Sequence, residues 1–179
     1  MTDYQVALLR GINVGGRNRI AMPRLRVLYQ DLGCREVSTY VKSGNVILRS
    51  DDDPAHLSTR AEVAIGLELG LEIRVLGRTH DEMARIVGSD PYPDAEPTHH
   101  HVVFLSGSPR TDGLVTLAAA AVDGESFTAT DREIHLLLPN GSGRSKLGQT
   151  LIERRLGVVG TARNWRTVTR LHDLSRPRA

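Results

Sequence analysis

The chain has 179 residues, a formal net charge of +2, 40% hydrophobic residues and 25% charged residues, ordinary values for a folded protein of one large domain or two small ones. A disulfide-stapled scaffold is excluded, because Cys34 is the one cysteine. A helical membrane protein is excluded as well, because no apolar run approaches the ~18 residues that a span needs.

The start, MTDYQVALLR, has no basic region ahead of its apolar stretch, so no signal peptide is read and a cytoplasmic protein is expected. Residues 4–9 read as a strand and are followed by a glycine-rich loop. Leu25, Leu28 and Leu32 then recur at helical spacing, with Pro23 in the first turn and Gly33 at the exit. Residues 36–42 and 45–49 read as two strands joined through Ser43 and Gly44. Asp53 is placed to cap a helix running to about Leu69, residues 71–76 read as a strand, and Thr79 with Glu82 forms a capping box for a short helix ending near Gly88. Residues 89–98 carry Pro91, Pro93 and Pro97 among three acids and read as a linker.

The order then repeats. Residues 101–106 read as a strand and 110–121 as a helix. Residues 125–130 and 133–138 form a hairpin, 145–156 a helix, 157–161 a short strand and 164–174 a last helix. The expectation is an α+β fold of duplicated ferredoxin-like halves, each β-α-β-β-α-β with a terminal helix, divided as 1–90, a 91–98 linker and 99–179. The runs Val6–Leu9, Val46–Leu48, Val102–Leu105 and Leu136–Leu138 do not alternate, which predicts strands buried on both faces. The two sheets are therefore expected to pack on each other or to meet a partner chain, such as a second copy in a homodimer.

Charge is distributed unevenly. Residues 1–50 carry eight basic and three acidic side chains, 51–140 six and sixteen, and 141–179 nine and two, giving +5, −10 and +7. Every cation is arginine except Lys42 and Lys146. Arginine offers a planar fork suited to phosphate and carboxylate. Such separation fits an anionic partner, and it equally fits basic ends attracted to an acidic middle.

Two glycine-rich edges are the candidate sites. At the first, Arg10, Gly11, Asn13, Gly15, Gly16, Arg17 and Asn18 lie between a strand and a helix, where amides and a helix N-terminus can receive an anion. Gly11 and Gly16 match the P-loop glycine spacing, but Arg17 and Asn18 replace its lysine and hydroxyl, so a nucleotide hydrolase is not expected. The topology brings Ser43, Gly44 and Asn45 to the same edge, where Arg19 and Lys42 converge with Arg10 and Arg17. The competing reading is a tight turn that needs glycine at positive φ. At the second edge, Arg144, Ser145 and Lys146 precede a helix with Ser145 as cap, and Arg163, Asn164, Trp165 and Arg166 open the last helix with Asn164 as cap. Trp165 reads first as core packing and second as a flank for a base or sugar.

No metal site and no cofactor are read from the sequence. His99, His100 and His101 follow the acidic segment and read as solvated, and Cys34 has no base beside it. The leading expectation is binding of a phosphorylated or otherwise anionic small molecule. The alternatives are nucleic-acid binding through an arginine-rich face of the last helix, an enzyme of unassigned reaction, and a structural or oligomerisation role. No membrane partner is expected.

VALLRGINVGGRN at 6–18, YVKSGNVIL at 40–48 and SKL…LGVVGTARNWRTVTRL across 145–171 together resemble the uncharacterised bacterial family numbered 1697 among domains of unknown function. The resemblance implies a duplicated α+β fold with ferredoxin-like halves and no assigned activity. It marks Gly11, Asn13, Gly15, Gly16, Ser43, Gly44, Asn45, Ser145, Lys146, Arg163, Asn164 and Trp165 as motif positions without roles. Lysine is common in that family where this chain has Arg17.

Overall fold

The computed structural model describes residues 3–122 and 124–177. In chain order the elements are β1 (Asp3–Leu9), α1 (Met22–Asp31), β2 (Arg35–Thr39), β3 (Asn45–Ser50), α2 (Pro54–Leu69), β4 (Val75–Thr79), α3 (His80–Gly88), β5 (His100–Leu105), α4 (Thr111–Ala118), β6 (Ser126–Ala129), β7 (Glu133–Leu137), α5 (Gln149–Leu156), β8 (Gly160–Asn164) and α6 (Trp165–Leu174). The fold is mixed α+β with two four-stranded antiparallel sheets, ordered β2-β3-β1-β4 and β6-β7-β5-β8. Both halves show the same β-α-β-β-α-β succession and the same strand order, as a duplication requires.

The chain divides into two compact units, Met1–Gly88 with Arg170–Ala179, and Ser89–Thr169. These bounds differ from the division at 91–98. The proline-rich segment belongs to the second unit and is held there. The Tyr92 hydroxyl lies 3.3 Å from the Ser126 and Thr128 hydroxyls, and the Tyr92 amide donates to Asp90 at 2.8 Å. The residues from Arg170 onward group with the first unit, where His80 stacks on His172 and the buried Ser175 hydroxyl lies 3.1 Å from His80 Nδ1.

Within the first unit, α1 and α2 cover one face of the sheet. Leu25, Leu28 and Tyr29 meet Leu57, Ala61 and Ile65 over Ala7, Leu9, Val46 and Leu48. Asp53 caps α2 as expected, accepting from the Ala55 and His56 amides at 3.0 Å. The Thr79–Glu82 box also forms, with reciprocal bonds of 2.8 and 3.1 Å. In the second unit α4 and α5 cover Val103, Leu105, Ile134 and Leu136. Val6 through Leu9 and Val102 through Leu105 are buried along their whole length, so both faces of β1 and β5 are shielded from water. Each fully buried aliphatic side chain contributes about 1.5–3 kcal/mol.

The bounds of five elements differ from the sequence reading by three residues or more, among them the end of α4, at Ala118 and not at 121. The second strand ends at Thr39 and not at 42, because residues 40–44 form an irregular loop with Val41 and Gly44 at positive φ. The strand expected at 71–76 is β4 at Val75–Thr79, since Leu71 and Ile73 fill the core beneath α2 before pairing with β1 begins at Val75. The helix expected from 145 starts at Gln149, with Gly148 at its cap, because Ser145 closes a local turn to the Leu147 amide instead. The strand expected at 157–161 is β8 at Gly160–Asn164, because Gly157 ends α5 in the left-handed conformation (φ +71°).

Helices α4 and α5 approach at Gly113, where an added Cβ would lie 2.1 Å from the Arg155 carbonyl oxygen. No flexible group can yield there. Gly113→Ala is expected to lower stability by more than about 2 kcal/mol, measured by denaturant unfolding, whereas Gly88→Ala, which meets no atom within 4 Å, should stay within about 1 kcal/mol.

Candidate functional site

The first edge assembles as the topology requires. Strands β1 and β2 run the same way on either side of β3, so their following loops meet: the Leu9 amide donates to the Gly44 carbonyl at 2.8 Å. The glycine run folds as a miniature hairpin. Val14 and Arg17 pair across Gly15 and Gly16, whose φ values of +58° and +77° fit a type I′ turn, and the Asn13 amide donates to the Asn18 carbonyl at 3.1 Å. The glycines therefore supply a turn. This departs from the P-loop pattern, in which successive amides converge on a phosphate.

Asn13 holds this hairpin in place. Its Nδ2 donates to the Ile20 carbonyl at 3.0 Å and to the Lys42 carbonyl at 2.8 Å, and its Oδ1 accepts from the Ile20 amide at 3.0 Å. Asn18 Nδ2 donates to the Gly11 carbonyl at 3.1 Å. In the neighbouring loop the buried Asn45 donates to the Tyr40 carbonyl at 2.9 Å and to Ser43 Oγ at 3.1 Å. Gly44 packs tightly, since a Cβ there would lie 2.8 Å from Leu9 Cβ. Asn13, Asn18, Ser43, Gly44 and Asn45 thus shape the edge.

What they shape is a pocket of about 600 Å³ at the start of α1, lined by Asn13, Arg19, Ile20, Met22, Pro23 and Lys42 among others. Arg19 and Lys42 are both exposed, and neither forms an ion pair with any described residue. The cap position of α1, Ala21, offers no side-chain acceptor, and the first turn holds no acid. The helix end is thus left partially positive and open to an anion. The equivalent place in the second unit differs. There the β5–α4 connection is only 106–110, Ser108 donates to Asp131 at 2.8 Å, and Arg110 is paired with Asp112 at 2.6 Å.

The second edge assembles only in part. Strands β7 and β8 both run antiparallel to β5 and end at its start, opposite His100 and His101, so Arg144 and Lys146 lie at the same end of the sheet as Arg166, all exposed. Arg163 does not join them. It lies inside β8, is 8% exposed, and donates through Nη1 to Thr161 Oγ1 and to the Ala162 carbonyl, both at 2.8 Å. Burial lowers its pKa to about 10. Ser145 closes a turn, and Asn164 caps α6 by accepting from the Thr167 amide at 2.9 Å.

Trp165 packs on a buried histidine cluster that the sequence reading missed. Its ring stacks on His100 at 4.3 Å and 17°, and Tyr92 meets His100 edge-on at 5.3 Å. His100 Nε2 lies 3.0 Å from His135 Nδ1, and both side chains are fully buried. Asp90 Oδ1 sits 3.6 Å from His100 Nδ1. Burial holds the pKa of His100 down to about 4, with His135 and His101 adding to the shift and Asp90 opposing it. Among the described residues no group of three or more His, Cys, Asp or Glu is arranged to hold a metal ion, and no helix is long and apolar enough to cross a membrane.

The chain belongs to the family described as a protein of unknown function (DUF1697), whose model matches residues 1–135. The match contains both first-edge motifs and ends before the second edge. No curated protein matches the chain. Among solved structures it is similar to the conserved bacterial protein SP0830 from Streptococcus pneumoniae, at 19% identity and a TM-score of 0.79 over 98% of this chain and 100% of that one. That likeness shows a shared fold.

The histidine cluster makes stability depend on acid. Folded His100 stays neutral to about pH 4, while the unfolded chain takes up its proton near pH 6.5. Its contribution is therefore fully present above about pH 6.5 and declines as pH falls toward 4. Denaturant unfolding should show a loss on the order of 3 kcal/mol over that window, and His100→Phe should flatten the profile. Trp165 is the one tryptophan, so its emission should drop over the same range as the stacked imidazole protonates.

Proposed function

We propose that this protein binds an anionic small molecule, of which a phosphate ester is the leading candidate, in the pocket at the start of α1. The observation that carries this reading is the pair Arg19 and Lys42, two cations with no described acid beside them, on the wall of one pocket of about 600 Å³. That volume lies within the range of small-molecule sites. The helix end adds partial positive charge and unspent amides at Met22 and Arg24, Pro23 having none to give. The second unit acts as an internal comparison: on the same scaffold its short loop and paired Arg110 leave no matching arrangement.

Inorganic phosphate or a simple phosphomonoester at millimolar concentration should raise the thermal midpoint of the wild type, as any ligand confined to the native state does. Arg19→Ala and Lys42→Ala should each weaken binding about five- to tenfold, the loss of one exposed charge-assisted contact worth ~1–1.5 kcal/mol. Ala21→Asp separates binding from folding. An acid at that cap position should stabilise the helix by about 0.5–1 kcal/mol while placing a negative charge at the pocket, so the unliganded midpoint rises as the phosphate response disappears. A wild type that phosphate and phosphate esters leave unchanged would refute the reading.

A second reading rests on Arg144, Lys146 and Arg166. Glu153 is the one acid between residues 134 and 169, so these exposed cations meet little opposing charge in sequence. A single-stranded oligonucleotide binding there should dissociate steeply with added salt and be lost in the Lys146→Glu, Arg166→Glu double variant.

A further inference from the structure

The α1 pocket has a divided chemistry that restricts the body of its ligand as well as the charged group. Its cations, Arg19 and Lys42, are donors only. Its one neutral polar side chain, Asn13, is spent inside the protein: both Nδ2 hydrogens and Oδ1 are engaged with the Ile20 and Lys42 backbone. The rest of the wall is Gly16, Ala21, Met22 and Pro23, with Ile20 largely buried behind them, and its side chains are hydrocarbon. Among the described residues no carboxylate lines the pocket, so its side chains offer no charged acceptor to ribose or sugar hydroxyls or to the exocyclic amines of a base. A hydroxyl-rich body would leave its hydroxyl hydrogens without a side-chain carboxylate to accept them, whereas an apolar body would lose only water that it releases readily.

Resting on the anion-binding reading above, we infer that the ligand class is an amphiphilic phosphomonoester, an anionic head held by Arg19 and Lys42 on an alkyl or aryl body lying against Ile20, Met22 and Pro23, and that sugar phosphates and nucleotides are selected against. The Pro23 ring and the Met22 side chain suit this task, since one is rigid and the other adapts to an irregular apolar shape.

The test is calorimetric titration of the full chain with inorganic phosphate, phenyl phosphate, hexyl phosphate, glucose 6-phosphate and AMP. Phenyl or hexyl phosphate should bind at least about tenfold more tightly than inorganic phosphate, and glucose 6-phosphate and AMP should gain less than about twofold. Met22→Ser should shrink the ratio by which the apolar esters exceed inorganic phosphate, and Met22→Leu should retain it. Equal binding of all five probes would overturn the ligand class and leave an anion site standing. Tighter binding of AMP or glucose 6-phosphate than of phenyl phosphate would overturn it in favour of a polar ligand. Absence of binding by every probe would overturn this inference together with the anion reading beneath it.

Discussion

Strands β1 and β5 have no solvent face, and much else follows from that. Each is an inner strand between two antiparallel neighbours, and each is buried from its third residue to its end. A polar group along such a strand is costly unless a buried partner meets it. Side chains open to solvent are thereby pushed to the strand ends, where the chain leaves the sheet. In the first unit the end of β1 opens into the long 10–21 connection, and antiparallel pairing with β3 brings the 40–44 loop beside it. The pocket is the space these two loops and the start of α1 enclose.

Asn13 links the fold to the site. A loop from 10 to 21 carrying five glycine or asparagine residues at positive φ is costly to order. Three hydrogen bonds from one side chain fix it against Ile20 and Lys42. The same bonds position the backbone of Lys42, so a group that never needs to touch a ligand sets where one of the two cations stands. Asparagine suits the place twice over: its side chain both donates and accepts, and it tolerates the left-handed backbone better than most residues.

Local signals were legible in the sequence wherever the physics is local. Asp53 ahead of Pro54, the Thr79–Glu82 box, Asn164 at the last helix and Gly33 at the first helix exit each satisfy groups within a few residues, and all function as read. The first edge was legible too, because strand order alone decides which loops meet. At the second edge the helix expected from Ser145 starts at Gln149, and Arg163 failed for a reason that pattern hides. LGVVG resembles a strand, but Gly157 ends α5 and Val158 and Val159 serve as connection, so pairing begins three residues later and Arg163 falls within the sheet instead of beyond it. The histidine cluster was illegible for a related reason. His100 and His135 stand 35 residues apart, and only the register that sets His135 opposite Val102 brings them to 3.0 Å.

The two halves share more chemistry than their sequences suggest, and this bears on the origin of the site. Arg78 and Arg163 occupy the same register, opposite Val6 and Val102, and each donates to the carbonyl of its preceding residue at 2.8 Å. Glu62 accepts from the first amide of β4, and Glu153 accepts from the first amide of β8, both at 2.8 Å. Gly70 and Gly157 end the preceding helices in the same left-handed conformation. These shared features build the scaffold: they hold the outer strand in register and stop the helix before it. The connection after the inner strand does not follow the same rule. It is long, strained and positively charged in the first half, and short and internally neutralised in the second. Where two copies of one architecture agree, folding accounts for the residues. Where they diverge, the first half sets Arg19 and Lys42, which form no ion pair with a described residue, on a pocket walled largely by hydrocarbon, and folding offers no reason for them there.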